Sequence, residues 1–446
     1  MNLAQALRLS PPLSQLSDGV ALAGSGGKST ALFQLARTLS GTGEHPVIVT
    51  TSTHLHIDQI KLADSHWIGE KPEDLAGIQE HLKGVMLLTG PITKNRTRGL
   101  DNRTLGWLHA ACQSFSVPLL IEADGSRQRP VKAPAEYEPA IPDFVKTVLV
   151  VAGLSGLGRP LTEEFVHRPD IFSRLGGISI GEVITPEVLV RILAHPAGGL
   201  KNIPSQARRM VLLNQADTPK LQSIGGEMAH KLLETYDSGL VGSLEHASIQ
   251  TFERTAGILL AAGESSRYGQ AKQLLDYHGQ PFVRSVAKAA LAGGLSPVVV
   301  VVGANATAVE SAVQDLPVII IHNMDWQAGQ SSSIRSGIGA LTSQTGAAIF
   351  LLADQPQVSP ILIRALADTH SLDLAAIVAP LVQERRANPV LFDRVTFPDL
   401  LSLTGDVGGR AIFSKHPVTY LPWHDETLLL DVDTPDDYRR LMGEEA

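Results

Sequence analysis

Short apolar runs rich in β-branched residues, each closed by a glycine or a turn and followed by an amphipathic stretch, recur along the whole chain. GVALAG, PVIVTT, GVMLLTG, VPLLIEADG, KTVLVVAG and RRMVLLNQAD come first. The pattern restarts at Thr255 with TAGILLAAG, SPVVVVVGA, LPVIIIH, GAAIFLLADQP and LAAIVAP. Strands that are apolar throughout and alternate with helices belong in a parallel sheet covered on both faces. The chain is therefore expected to be α/β, in two successive domains, residues 1–250 and 251–446, joined within the polar stretch EHASIQTFER at 245–254. Leu3 to Leu16 reads as an N-terminal helix broken by Pro11 and Pro12.

Charge and cysteine usage narrow the function. With 37 Lys and Arg against 45 Asp and Glu, the net charge of −8 argues against a general nucleic-acid binder, which needs basic clusters to displace counterions. The single Cys112 permits neither an internal disulfide nor a Cys-rich zinc site, which points to a reducing, cytoplasmic setting. No secretion signal opens MNLAQALRLSPPLSQ, and no run approaches the roughly 18 apolar residues of a membrane span.

The second domain opens with ILLAAGESSRYGQAKQLL. Leu260, Ala261, Ala262, Gly263 and Ser265 follow the first strand, and such small residues let backbone amides approach a polyphosphate. Arg267 and Lys272 can neutralise charge that grows during phosphoryl transfer. Asp354 follows the strand AAIFLLA and would emerge at its C-terminal end, where open α/β sheets bind ligands, as a Mg²⁺ ligand. Asp431 and Asp433, two residues apart after LLL, share one face if that segment is extended, and either can complete the site. Gln330, Ser331, Ser332 and Arg335 are expected to line the pocket, with a helix N-cap as the other reading of the serines.

The LAAG-x-S-x-R-x-G-x-x-K pattern resembles the molybdenum cofactor cytidylyltransferase family of Rossmann-like nucleotidyltransferases. The likeness extends through QAGQSSSIRSGI, LLADQPQVS, NPVLF, LTGDVGGRAIF and DVDTPDDY. It implies transfer of CMP from CTP to a molybdopterin-type cofactor with loss of pyrophosphate, and the Leu260 to Gly263 tetrad resembles the cytidylyl rather than the guanylyl type. Where many relatives carry Gly-His-Pro-Val, this chain has Ala387-Asn388-Pro389-Val390. Guanylyl transfer, a sugar-phosphate acceptor, or a cofactor carrier without catalysis are the alternatives.

In the first domain, GVALAGSGGKSTALF sets Gly24, Gly26, Gly27, Lys28, Ser29 and Thr30 between a strand and a helix, a P-loop-like arrangement that departs from the strict G-x-x-x-x-G-K-[ST] spacing, since Leu22 stands where the first glycine would be. Glu122 and Asp124 end the strand VPLLIEAD, as for a carboxylate that holds magnesium through water, and Asp124 is the candidate metal residue. Asn214 and Asp217 in NQAD resemble a guanine-reading tetrad with Gln215 in place of lysine; an ordinary strand-end turn is the alternative. ATP or GTP is the expected ligand. His54 and His56 of THLH would share one side of a strand, as metal ligands or as packed histidines; His167 and Arg168 would meet a phosphate or cap local structure. Residues 18 to about 240 also look like the selenium-dependent hydroxylase accessory (YqeC-like) family, through GSGGKST, VTTSTH, IEADGSRQRPVKAPAEYEPAIP and VVAGLSGLGRPLTEEFVHRPDIF. That resemblance singles out Gly125, Ser126, Lys132, Glu136 and Glu138, and implies a molybdenum hydroxylase as client.

Overall fold

The computed structural model describes residues 1–9, 17–43, 45–264 and 271–443. The chain divides into two compact units, Met1–Phe252 and Glu253–Ala446. The stretch read as a polar join is instead the start of a 14-residue strand, Ser248–Ala261. Ile249, Thr251 and Phe252 are buried between its polar letters, and β-branched and aromatic residues on a half-buried ladder favour a strand over a linker.

In the first unit eight parallel strands follow the order Ser65–Ile68, Val85–Thr89, Val47–Thr51, Leu119–Glu122, Val20–Gly24, Thr147–Gly153, Arg208–Asn214 and Ser238–Ser243. Their inner members are buried throughout because separate apolar clusters pack on the two faces. Strand order reverses between Val20–Gly24 and Thr147–Gly153, so the glycine loop after Val20–Gly24 lies at the switch point. The helix Lys28–Ser40 follows that loop, buries Ala31, Leu32, Phe33, Leu35, Ala36 and Leu39, and stops at Gly41 with φ 59°. Each larger side chain in that stripe contributes about 1.5–3 kcal/mol by burial. Where a longer N-terminal helix was expected, a single turn, Leu3–Ala6, forms under an Asn2 cap. Residues 10–16 lie outside the described residues.

The second unit carries the order Ile319–His322, Val298–Val302, Ser248–Ala261, Thr345–Leu352, Val390–Asp393, Ile377–Val382 and Val418–Pro422. Val390–Asp393, from NPVLF, runs antiparallel to both neighbours, so this Rossmann-like sheet is mixed rather than purely parallel. Strands Ser248–Ala261 and Thr345–Leu352 are adjacent and parallel. That pairing brings the residues after Leu260 and after Leu352 to one edge.

Among the described residues no helix is long and apolar enough to cross a membrane.

Candidate functional site

In the first unit Asp124 organises a row of buried charges. Its carboxylate accepts from Gly24 N at 3.0 and 3.1 Å, from Lys28 Nζ at 2.5 Å and from Lys132 Nζ at 2.8 Å. Lys132 also donates to Glu138 at 2.8 Å, and Glu138 pairs with both guanidinium nitrogens of Arg168 at 2.7 and 2.8 Å. Both Asp124 oxygens are thus engaged by cations and an amide. The carboxylate that faces the loop hydroxyl is Glu122, whose Oε2 accepts from Ser29 Oγ at 3.0 Å. Gln59 Nε2 meets the same hydroxyl at 2.5 Å.

Burial works to lower the Lys28 pKa, but Asp124 and Glu122 outweigh it and hold the ammonium above its ordinary value. Burial pushes the Glu122 carboxyl up, against the opposing charge of Lys28. The Glu138 carboxyl sits at about 2: burial acts to raise it, and Arg168 and Lys132 prevail. A carboxyl depressed on folding contributes stability that is complete above its unfolded value near 4.5 and disappears as pH falls toward about 2. Acid unfolding followed by circular dichroism should therefore be shallower below pH 4.5 in Glu138→Gln, which starts less stable at neutral pH.

The loop itself is tight. Gly24, Gly26 and Gly27 have φ of 99°, 75° and 116°, and a Cβ on Gly26 would lie 2.4 Å from Gly153 N. Three successive amides are taken by protein acceptors: Gly24 N by Asp124, Ser25 N by Val151 O and Gly26 N by Arg129 O. The amides from Gly27 onward, at the helix start, stay clear of these bonds, and Thr30 is exposed in the first helical turn.

Asn214 is buried between the loop and the next strand, donating to Gly26 O at 2.7 Å and accepting from Leu244 N at 3.0 Å. Its amide is spent on structure, while Asp217 is exposed. The shared strand face expected for His54 and His56 does not exist: the strand ends at Thr51, His54 meets Arg96 at 2.9 Å, and His56 caps the turn that follows. His167 lies beside Lys132 in a two-residue ladder, and burial, Arg168 and Lys132 lower its pKa to about 4. Lys132 and Glu138 complete the charge row; the signal for them was their presence in the distinctive block after Asp124.

In the second unit Asp354 stands at the wall between two clefts. One, of about 820 Å³, is lined by Leu260, Ala261, Ala262, Gly263, Gln330 and Ser333 among others. The other, of about 400 Å³, is lined by Phe350, Asn388, Phe392, Arg410, Phe413, Asp431 and Asp433 among others. Each is large enough for a drug-sized heterocycle. Lys272 is buried in a turn, Lys272–Leu274, and its Nζ donates to Asp433 Oδ1 at 2.5 Å. Asp431 accepts from Gln355 Nε2 at 2.8 Å. Burial pushes the Asp354 carboxyl up, with Lys272 opposing and Asp431 and Asp433 reinforcing. The structure thus brings Lys272, Asp354, Asp431 and Asp433 together, on loops rather than on the extended segment expected for the last two. Arg267 and Ser265 lie outside the described residues.

The serines are placed differently from expectation. Gly329 is the N-cap of helix Gln330–Gly339, and the serines fill its first turn facing inward. Ser331, fully buried, donates to Gly405 O at 2.7 Å, and Ser332 donates to Gly329 O at 2.8 Å. Arg335 donates to Leu403 O and to Ser331 Oγ. Ser331 and Arg335 fasten the 403–405 loop, Ser332 turns back to the helix start, and Gln330, with the neighbouring Ser333, lines a cleft. A helical period read on QSSSIRSGI shows which residues share a face, but not which face the loop will cover.

Among the described residues no group of three or more His, Cys, Asp or Glu side chains stands in a metal-holding arrangement. Mg²⁺ keeps waters and substrate phosphates and takes one or two carboxylates, so Asp354 with one of its two acidic neighbours is a fitting donor set.

A parallel α/β unit with a glycine loop at its switch point is followed by a mixed α/β unit whose two clefts meet at an aspartate, and the second unit has the fold of a nucleotidyltransferase domain. Residues 20–170 match the family described as YqeC protein, and residues 257–420 match the MobA-like NTP transferase domain. The first half is 32% identical over 203 residues to the uncharacterized protein YqeC of Escherichia coli (strain K12), spanning 44% of this chain and 75% of that protein. The second half is 34% identical over 196 residues to nicotine blue oxidoreductase of Paenarthrobacter nicotinovorans, spanning 42% of this chain and 95% of that protein. Among solved structures, Rv0371c from Mycobacterium tuberculosis H37Rv is similar, with 30% identity over 43% of this chain and 98% of that one and a TM-score of 0.39. The chain belongs to the YqeC family through its first half and to the MobA-like NTP transferases through its second.

Proposed function

We propose that the second domain transfers CMP from CTP to a molybdopterin-type cofactor with release of pyrophosphate, in the maturation of a client molybdenum hydroxylase. The observation that carries this reading is the position of Asp354, shared by the cleft of the Leu260–Gly263 loop and the cleft of Asn388, Arg410 and three phenylalanines. A nucleoside triphosphate in the first and a planar, phosphate-bearing acceptor in the second would meet at that carboxylate. Aromatic walls suit a flat ring, and Arg410 suits its phosphate.

The acceptor phosphate attacks the α-phosphorus of the nucleotide, and the bond to the β-phosphate oxygen breaks. Asp354, with Asp433 or Asp431, would hold Mg²⁺, which supplies charge neutralisation for the transferred phosphoryl group. Lys272 is held by Asp433 within reach of the same charge, and the protein need only align and neutralise, without a covalent nucleophile. The first domain binds ATP or GTP with Lys28, Ser29 and Thr30.

Pyrophosphate release by the full chain with Mg²⁺ and molybdenum cofactor, with CTP, GTP, ATP and UTP offered separately, tests the reading. Release with CTP, lost in Lys272→Ala, is the expected outcome. Release with GTP alone moves the assignment to guanylyl transfer, and a sugar phosphate as sole acceptor moves it to that class. Client maturation that survives Asp354→Ala would instead favour a cofactor carrier.

A second reading rests on the 34% identity to a protein named nicotine blue oxidoreductase. It expects oxidation or reduction of nicotine blue, with no dependence on a nucleoside triphosphate.

A further inference from the structure

In the first domain a groove of about 480 Å³ runs along one side of the helix that follows the glycine loop. Thr30, Gln34 and Thr38 line it at helical spacing, so it starts in the first turn and extends about 12 Å at 1.5 Å per residue. Phe33, Leu62 and Leu244 give it apolar walls. Its volume is that of a small-ligand site, and its near end adjoins Ser29, whose hydroxyl faces Glu122. The wall and the glycine loop are also tied to each other. Asn214 accepts from Leu244 N at 3.0 Å and donates to Gly26 O at 2.7 Å, which fixes Leu244 relative to the loop.

The polar groups in the groove discriminate between bases. Gln34 Nε2 donates to Leu244 O at 3.0 Å, and since a carbonyl only accepts, this bond sets which end of the carboxamide faces the wall and leaves Oε1 as the acceptor for a ligand. Among the described residues the only charged side chain lining the groove is Arg37, and Asp64 holds it at 2.6 Å. No carboxylate lines it among those residues, and Asp217 is not part of its wall. Guanine places a carbonyl beside adjacent N–H donors on one edge, an array that calls for paired acceptors, whereas the amine of adenine needs one. Apolar walls leave the surplus groups of guanine unsatisfied, at a cost in affinity.

We propose that this groove is the base site of the first domain and that it selects adenine over guanine, with Gln34 as the specificity-determining residue. The proposal rests on the reading that the phosphates of a nucleotide lie at Lys28 and Ser29. From there the ribose passes Thr30, and the base lies among Phe33, Leu62 and Leu244 with its amine on Gln34.

The probe is 2-azido-ATP with Mg²⁺, photolysed on the full chain and located by mass spectrometry of the peptides. Label on residues 30–38, 62 or 243–249 reports this groove and is distinct from nucleotide held by the second domain. ATP should protect these peptides at least about tenfold better than GTP, and inorganic tripolyphosphate, which carries no base, reads the phosphate site alone. Gln34→Leu should bring ATP and GTP within about threefold of each other. Protection by tripolyphosphate and the melting temperature should stay at the parent values, since the Gln34 side chain is exposed. Label in the first domain but away from the groove, equal protection by ATP and GTP in the parent, or an unchanged preference in Gln34→Leu overturns the proposal while leaving nucleotide binding by this domain intact. Absence of any label in the first domain overturns both.

Discussion

Asp354→Asn is expected to reduce CTP-dependent pyrophosphate release by at least about a thousandfold, roughly 4 kcal/mol of transition-state stabilisation, without loss of folding stability. The two halves of that expectation have one origin. Asp354 is half-buried at the meeting of two clefts, burial raises its pKa, and Asp431 and Asp433 add like charge. An acid whose folded pKa is raised contributes stability that is present below its unfolded pKa and is lost as pH rises through the folded value. At neutral pH the ionised group is therefore a cost to the fold, and the neutral amide relieves it. A melting temperature equal to or above that of the parent, alongside lost release, is the signature of a carboxylate kept for chemistry. A fall in both would identify Asp354 as structural and sink its assignment at the centre of the site.

That balance between local signal and distant partner also explains what could be read before the fold was known. The apolar runs were legible because parallel strands buried on both faces leave little room for polar letters, as in VALAG and VVVVV. Asp354 was legible because it directly follows such a run. Ser331 and Ser332 were misplaced because their orientation depends on Gly405 and Gly329 backbone, which no spacing within QSSSIRSGI encodes. The antiparallel course of Val390–Asp393 likewise depends on its partners Thr345–Leu352 and Ile377–Val382 rather than on its own composition. A carboxylate after a strand beside a lysine loop reads as a metal ligand; that Asp124 also takes a second lysine, Lys132, is not legible in the sequence, because Lys132 returns only through the turn at 126–129.

Asp124→Ala should destabilise the first domain by about 3–5 kcal/mol, the cost of leaving buried charges uncompensated. Lys28 and Lys132 have side chains only 3% and 4% exposed, and both point at this one carboxylate. With it gone, Glu122, 3.4 Å from Lys28, and Glu138, already paired with Arg168, are left to face three cations, so one buried positive charge goes uncompensated, and Gly24 N loses its acceptor. Asp124→Asn, which retains an acceptor without the charge, should fall between the two. Urea denaturation followed by the fluorescence of Trp67 and Trp107, both in the first domain, reads the effect directly. A metal-ligand role predicts something different: near-normal stability without Mg²⁺ and a loss confined to Mg²⁺-loaded protein. A destabilisation of the stated size that is independent of Mg²⁺ makes Asp124 the electrostatic keystone of the glycine loop. It also implies that a nucleotide drawing Lys28 toward its phosphates must compete with Asp124 for that ammonium.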